Sequence, residues 1–451
     1  MHHDPTGEAP AGGVRRLLRR VHPSTGTMFH SIHGAIMKIA IISDTHFGDP
    51  VSTLTEKIEE DYQVGPKYPQ LRDALGEGLD YLVMLGDIFD FSIASYEDAY
   101  AAGQVFFKQL LKDKITKKII YVPGNHDADF WHTVEHQVNI LMRIENGQPP
   151  RPFRWSVPGV IDFNARTNAG RELHLPEVGR TGGKYGGLFL DKIAPGLTFT
   201  FAYPNLYFKI GEEIILLTHG QYLEPYWSLL SEWLLKIAGK DLKIGDSLDL
   251  KEMVSLNFPA NQLACSGIGQ AGKLTDLIRD LQREIKDNDY SRLQRYLDRL
   301  VYELDSKTDY PWYKFCYEWV TDALFSEIAS SLMDAVKDTK ATRFDDKFVN
   351  DPEVQDRFNT YIKSSLVEIS HLADAHDILL GIPTRMIFGH THEPIGWNDP
   401  ESPRTNFGGN VIRWHNTGGW LTKKDNGEEK FVGAEIFLCD EKNGMRSVRV
   451  E

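Results

Sequence analysis

No apolar run in the 451-residue chain is long enough to cross a membrane: stretches such as EIILL at 213–217 fall far short of the roughly 18 to 20 residues that a spanning helix requires. Cysteine is scarce as well. Cys265, Cys316 and Cys439 are widely spaced and odd in number, which speaks against a disulfide framework and against a thiolate metal site. A reducing cytoplasm is the expected compartment. Positive charge is in deficit, with 50 Lys and Arg against 64 Asp and Glu and a formal net charge of -14. That balance argues against broad, sequence-independent binding to nucleic acid, and an anionic ligand would need a local positive site. What is present suits a globular fold: 41% of residues are hydrophobic and 25% charged, enough to bury a large core in more than one structural unit.

Residues 1–36 differ in composition from the rest. PTGEAPAGG is loop-like, VRRLLRR is basic, and His2, His3, His22, His30 and His33 are scattered among them. The segment is expected to be a disordered tail. It has neither the apolar centre nor the small-residue cleavage site of a signal peptide, and MKIAIISD makes Met37 read as the natural start.

From there short β-rich runs alternate with helical patterns. KIAIIS (38–43), YLVML (81–85) and KIIYV (118–122) are expected strands, each running into a polar or glycine-bearing turn. Stretches around 94–115 and 129–145 supply crossover helices, and the Gly- and Pro-rich 148–196 reads as a long irregular excursion. Strands resume at LTFTFAY, at LYFKIGEEIILLTH with a hairpin at GEE, and at RMIFGH, VIRWHN and EIFLCD. Between Pro225 and Leu379 the period changes to helical. Trp312, Phe315, Cys316, Trp319, Val320, Ala323, Leu324, Ile328 and Leu332 recur at three- and four-residue steps, a stripe expected to be core, with a lipid- or partner-binding face as the weaker reading.

The chemistry gathers where strands end. Asp44 and His46 stand in SDTH, Asp87 and Asp90 in GDIFD, Asn125, His126 and Asp127 in GNHD, His219 in THG, and His390 and His392 in GHTH. Singly, each is explained by a turn, a helix cap or a structural histidine. Together, five strand ends offer oxygen or nitrogen donors at the edge where open α/β sheets assemble their sites. Imidazoles, carboxylates and one amide without thiolate suit Mn, Fe, Zn or Co, and the donors suffice for two ions. Such a pair activates water, clamps the oxygens of an in-line displacement, and supplies the local positive charge an acidic protein needs to draw phosphate.

In full and in order, these motifs resemble the calcineurin-like metallophosphoesterases, whose pattern is D-x-H, G-D, G-N-H-D, H and G-H-x-H. The resemblance implies Asp44, His46 and His392 on a first metal, Asn125, His219 and His390 on a second, and Asp87 bridging both, with manganese the leading candidate of the Mn/Fe/Zn class. It implies His126 as general acid or transition-state stabiliser, oriented by Asp90; Asp127 is expected to support the ligands from behind or to be structural rather than catalytic. The implied fold is α+β, a four-layer α/β/β/α sandwich of two mixed sheets, its catalytic core split into 37–224 and 380–451 by a large helical insertion or cap at 225–379. The expected function is metal-dependent hydrolysis of a phosphomonoester, phosphodiester or pyrophosphate. A nuclease of the same superfamily and a non-catalytic binding scaffold are the alternatives.

The GDIFDF turn, the helical insertion after THG and HNTGGW (415–420) are similar to the branch containing UDP-2,3-diacylglucosamine hydrolases, which split a pyrophosphate in lipid A synthesis. The chain departs from that branch in carrying His126 where those enzymes commonly have Arg, and in the far greater size of its insertion. A phosphorylated small molecule or a lipid-linked substrate is the expected partner, with peripheral membrane contact through the insert open and nucleic acid the weaker class. Asn416 and Trp420 are candidate substrate contacts, against a tight-turn reading. Three further patterns are set aside. HTVEH (132–136) fits a zinc-protease pattern but follows GNHDADFW directly; GIGQAGK (267–273) lacks the Ser or Thr of a phosphate-binding loop; His371 and His376 have no matching partners.

Overall fold

The computed structural model describes residues 36–165, 188–238, 248–263, 289–307, 348–425 and 428–451, with the single positions 174, 284, 330 and 333. The tail at 1–35, the aromatic stripe from Trp312 to Ile328 with Leu332, GIGQAGK, Cys265 and Cys316 lie outside them.

Two mixed six-stranded sheets carry the fold. In the first, β1 (Lys38–Ile42), β4 (Tyr81–Leu85), β5 (Lys118–Val122) and β7 (Thr198–Phe201) run parallel, and β15 (Ala434–Asp440) and β16 (Gly444–Val450) extend the edge beyond β1 antiparallel. The second has the order β11 (Arg404–Phe407), β12 (Asn410–Asn416), β10 (Arg385–Phe388), β9 (Glu213–Thr218), β8 (Asn205–Ile210) and β6 (Gly159–Asp162). Its central pairs β9–β10 and β10–β12 are parallel, and the expected GEE turn closes the antiparallel β8–β9 hairpin. Two small antiparallel ribbons, β2 (Thr55–Ile58) with β3 (Asp61–Val64) and β13 (Thr422–Asp425) with β14 (Glu428–Phe431), lie outside these sheets.

Side-chain alternation explains why the sheets stack. Ile39, Ile41, Val83, Leu85, Ile120 and Val122 of the first sheet share one buried cluster with Leu206, Phe208, Ile215, Leu217 and Ile387 of the second. Their neighbours Ala40, Ile42, Leu82, Met84, Ile119 and Tyr121 point the other way, into a second cluster shared with the helices. Strands buried on both faces read as continuous apolar runs, which is what KIAII, YLVML and KIIYV are.

The helices begin on ordinary chemical signals. In α1 (Tyr68–Leu75) a proline sits in the first turn. Ser95 caps α2 (Tyr96–Lys112), with Glu97 and Asp98 completing the favourable first turn. After GNHD comes α3 (Asp129–His136), continued by a π turn at Gln137–Leu141 and a last helical turn at Met142–Glu145. Beyond the short α4 (Leu188–Ile193), the span after THG holds α5 (Pro225–Ala238), α6 (Leu250–Gln262), α7 (Ser291–Lys307) and α8 (Pro352–His376). A capping box of Asp249 and Glu252 starts α6, and Asp351 caps α8.

Helix α8 packs directly on the second sheet. Phe358 meets the Trp414 ring at 4.2 Å, Tyr361 shares a 2.9 Å hydrogen bond with the Thr218 hydroxyl, and Glu368 accepts from the Tyr207 hydroxyl at 2.7 Å and from Asn205 at 3.0 Å. Burial raises the Glu368 carboxyl to about 7, against the opposing hydrogen bonds of Ser156, Tyr207 and Asn205. The folded chain thus binds this proton more tightly than the unfolded one, whose pKa is near 4.5. The carboxyl's contribution to stability is complete below the unfolded pKa and is lost as pH rises through the folded one. Glu368→Gln, neutral at every pH, is expected to flatten that decline; urea unfolding of both chains at about pH 5 and about pH 8 reads the difference.

Candidate metal centre

The ends of β1, β4 and β5 in one sheet and of β9 and β10 in the other meet at a common edge, and backbone hydrogen bonds lace their loops together. Asp44 N–H donates to Gly86 O at 3.0 Å, His46 N–H to Asp87 O at 3.0 Å, and Gly389 N–H to His219 O at 2.9 Å. Such closeness demands glycine: a Cβ on Gly86 would strike the His219 imidazole, and one on Gly389 would strike the Asp44 carboxylate.

The backbone is also strained here. Asp44, His46, Asp87, His390 and His392 adopt φ of 50°, 45°, 52°, 68° and 60°. Left-handed backbone at non-glycine residues costs roughly 1–3 kcal/mol each and persists where the surroundings over-determine it, commonly at functional sites.

Two foci result. Around the first, His392 Nε2 lies 3.1 Å from Asp44 Oδ1 and 3.2 Å from His46 Nε2, which is itself 3.8 Å from Asp44 Oδ1. Around the second, His219 Nε2 lies 3.1 Å from both Asn125 Oδ1 and Asp87 Oδ2, and Asp87, His219 and His390 each offer a donor atom within 4.8 Å of the others. Asp87 Oδ2 also stands 3.8 Å from His46 Nε2, so one carboxylate faces both foci.

The tautomers are set from outside the site. His46 Nδ1 donates to Asp90 Oδ2 at 2.8 Å and His219 Nδ1 donates to Leu85 O at 3.0 Å. In the neutral rings Nε2 then carries a lone pair aimed at carboxylate oxygens that are lone-pair donors too, an arrangement that only a proton or another cation reconciles. The electrostatics agree. Burial opposes charge on His46, yet the nearby Asp44 carboxylate, the hydrogen bond to Asp90 and the charges of Asp90 and Asp87 raise it to about 10. Burial likewise opposes charge on His219, and Asp87 raises it to about 9. Asp44 and Asp87 are held ionised well below the usual carboxylate range by the surrounding histidines, despite burial. A buried set of N and O donors with this demand for positive charge fits divalent cations.

Asp90 does more than its expected role. It holds His126 as well as His46, accepting from His126 Nδ1 at 2.8 Å through Oδ1, and the same oxygen closes a turn by accepting from Ser92 N and Ile93 N. His126 N–H is fixed by Asp87 Oδ1 at 2.8 Å, its Nε2 lies 4.0 Å from Asp87 Oδ2, and its side chain is 16% exposed where His46 and His219 are at 0%. Asp127 is structural: it accepts from Ile88 N, Gly124 N and the Tyr121 hydroxyl, and burial together with Asp87 pushes its carboxyl up to about 6.

Asn416 and Trp420 are turn and packing residues rather than substrate contacts. Asn416 is fully buried, donates to Gly389 O and Thr391 Oγ1 and accepts from Gly418 N; Trp420 is 1% exposed. In HTVEH the acid is taken up by Arg154 and Asn139, while His132 and His136 lie against Phe153. Sequence reasoning missed Glu224, whose Oε2 lies 2.6 Å from His390 Nε2. Its only signal is an acid shortly after THG, in QYLEP, and no motif marks it.

No curated protein matches the chain. The family model for calcineurin-like phosphoesterase matches residues 37–242, a span that contains Asp44, His46, Asp87, Asp90, Asn125, His126 and His219. His390 and His392 lie beyond that span and fold back into the same two foci. Two mixed sheets, this span and this cluster together make residues 37–242 a calcineurin-like phosphoesterase domain, completed by histidines from the chain that follows it.

Proposed function

We propose that the chain is a dinuclear metal-dependent phosphoesterase that hydrolyses a phosphomonoester, phosphodiester or pyrophosphate. The observation that carries the reading is the pair of foci sharing Asp87 Oδ2, each built from buried imidazole nitrogens and carboxyl or amide oxygens. Asp44, His46 and His392 would hold one ion, Asn125, His219 and His390 the other, and Asp87 both. When bound, the ions supply Lewis acidity, lowering the pKa of water toward roughly 7 and offsetting charge on phosphoryl oxygens.

The chain's own residues do the rest. Asp90 keeps the proton of His126 on Nδ1 in the neutral ring, so that Nε2 is the nitrogen that takes up and delivers a proton. His126 is the more exposed imidazole beside the foci, which suits a group that must reach a substrate's leaving oxygen. Asp87 Oδ1 accepts from the His126 backbone N–H, which ties the proposed proton donor to the carboxylate that faces both foci. No described helix is long and apolar enough to cross a membrane; the scarcity and wide spacing of cysteine are what favour the cytoplasm as the compartment of the activity.

The test loads the purified chain with Mn²⁺, the first choice for a thiolate-free donor set. A panel of monoesters, diesters and nucleoside-diphosphate-linked compounds is then followed before and after chelation. Two ions per chain, with hydrolysis of one substrate class that stops on chelation and returns with Mn²⁺, is the expected result. Hydrolysis indifferent to chelation, or metal uptake without hydrolysis of any class, would refute the reading; the second outcome describes a binding scaffold. A strong preference for DNA or RNA ends with a steep salt dependence would identify a nuclease.

A further inference from the structure

His390 is gripped from two sides. Its backbone N–H lies 3.1 Å from each oxygen of Asp44, and its ring Nε2 lies 2.6 Å from Glu224 Oε2, both side chains being nearly buried. Glu224 comes from a different part of the chain. It joins the short 3-10 turn Gln221–Leu223, which follows His219 at the end of β9, to the first residue of α5. The Ser228 hydroxyl, one turn into that helix, donates to Glu224 O at 3.1 Å and fixes the junction.

A carboxylate accepts and does not donate, so the short Nε2 contact places the proton of the His390 ring on Nε2. The ring's one remaining lone pair is then on Nδ1, on the opposite side from Glu224. A carboxylate or carbonyl oxygen on the far nitrogen of a ligating histidine fixes its tautomer and rotation. His46 obtains the same service from Asp90 and His219 from Leu85 O, so Glu224 is the equivalent device for the third imidazole.

We propose that Glu224 is a positioning residue for the second ion, holding His390 with Nδ1 turned toward Asp87 and His219 and linking occupancy of that focus to the start of α5. The inference rests on the dinuclear reading above. Glu224→Ala is expected to weaken the second Mn²⁺ by about 10- to 100-fold while leaving the first unchanged. Glu224→Gln, which keeps an acceptor for the Nε2 proton but no charge, falls between.

Equilibrium dialysis of the full chain against Mn²⁺ with elemental analysis measures both affinities. Low-temperature electron paramagnetic resonance supplies a second readout: the spin-coupled signal of an ion pair gives way to that of isolated Mn²⁺ in Glu224→Ala. Wild-type affinity for both ions in Glu224→Ala would overturn the proposal. So would equal weakening of both ions with a lower melting temperature of the metal-free chain, which marks a structural anchor. If Glu224→Ala does not fold, Glu224→Gln decides: a weaker second ion supports the proposal, and two ions at wild-type affinity overturn it. Wild type binding fewer than two ions would instead overturn the dinuclear reading, and this inference with it.

Discussion

Asp87→Asn is expected to lower kcat by about 10³-fold or more, roughly 4 kcal/mol of transition-state stabilisation, and to strip most of the bound metal. The substitution is close to isosteric, and an amide oxygen can still accept the His126 N–H that Asp87 Oδ1 now takes at 2.8 Å. What disappears is the charge on Oδ2, which lies 3.1 Å from His219 Nε2 and 3.8 Å from His46 Nε2. Two divalent ions would bring four positive charges to a site whose proposed ligand carboxylates are Asp44 and Asp87. With Asp87 neutral, a single carboxylate faces them in a buried setting where unbalanced charge is expensive. Metal stoichiometry by elemental analysis and turnover on the best substrate of the panel measure both effects. Full metal content with unchanged turnover in Asp87→Asn would show that this carboxylate does not serve two ions, and the mechanism would have to be abandoned.

How far the sequence carried depended on whether information was local. Asp44, His46, Asp87, Asn125, His126, His219, His390 and His392 each lie within a few residues of a strand end, and strand ends were legible because KIAII, YLVML, KIIYV and RMIF are apolar on both faces. Which sheet each strand joins was not legible from the strands themselves, since the apolar runs look alike in both; the resemblance supplied two mixed sheets and left the membership of each to the structure. The ribbon strands TEKI, DYQV and EEKF passed unnoticed because they are short, largely polar and partly solvated, with no apolar stripe to show a period. The edge strand RTNF was hidden for the same reason. Contacts made across the fold were beyond reach. Glu224 meets His390 over a separation of 166 residues, and Asp90 divides its two oxygens between His46 and His126. Asn416 misled in the other direction: a polar residue just past a strand near the site looks available, and only packing shows its amide already engaged by Gly389, Thr391 and Gly418.

His126→Ala is expected to separate proton delivery from metal binding. His126 is 16% exposed, its Nδ1 is committed to Asp90, and its Nε2 is 4.0 Å from the shared carboxylate, close to the foci without belonging to the two sets proposed to hold ions. Its loss should leave both ions in place and lower kcat by about 10²- to 10⁴-fold for substrates with alkoxide leaving groups, the range typical of general acid catalysis. With p-nitrophenyl phosphate the decrease should be far smaller, because p-nitrophenolate departs without needing a proton. Asp90→Asn should behave differently from both. It disturbs His46 as well as His126, so it is expected to weaken the first ion and to slow both kinds of substrate. Kinetics on a matched alkyl and nitrophenyl pair, with metal content determined on the same preparations, distinguishes the three variants. An equal loss on the two substrates in His126→Ala would mean that the imidazole stabilises charge on the phosphoryl group instead of protonating the leaving oxygen. Loss of metal in that variant would make His126 a ligand and redraw the site around it.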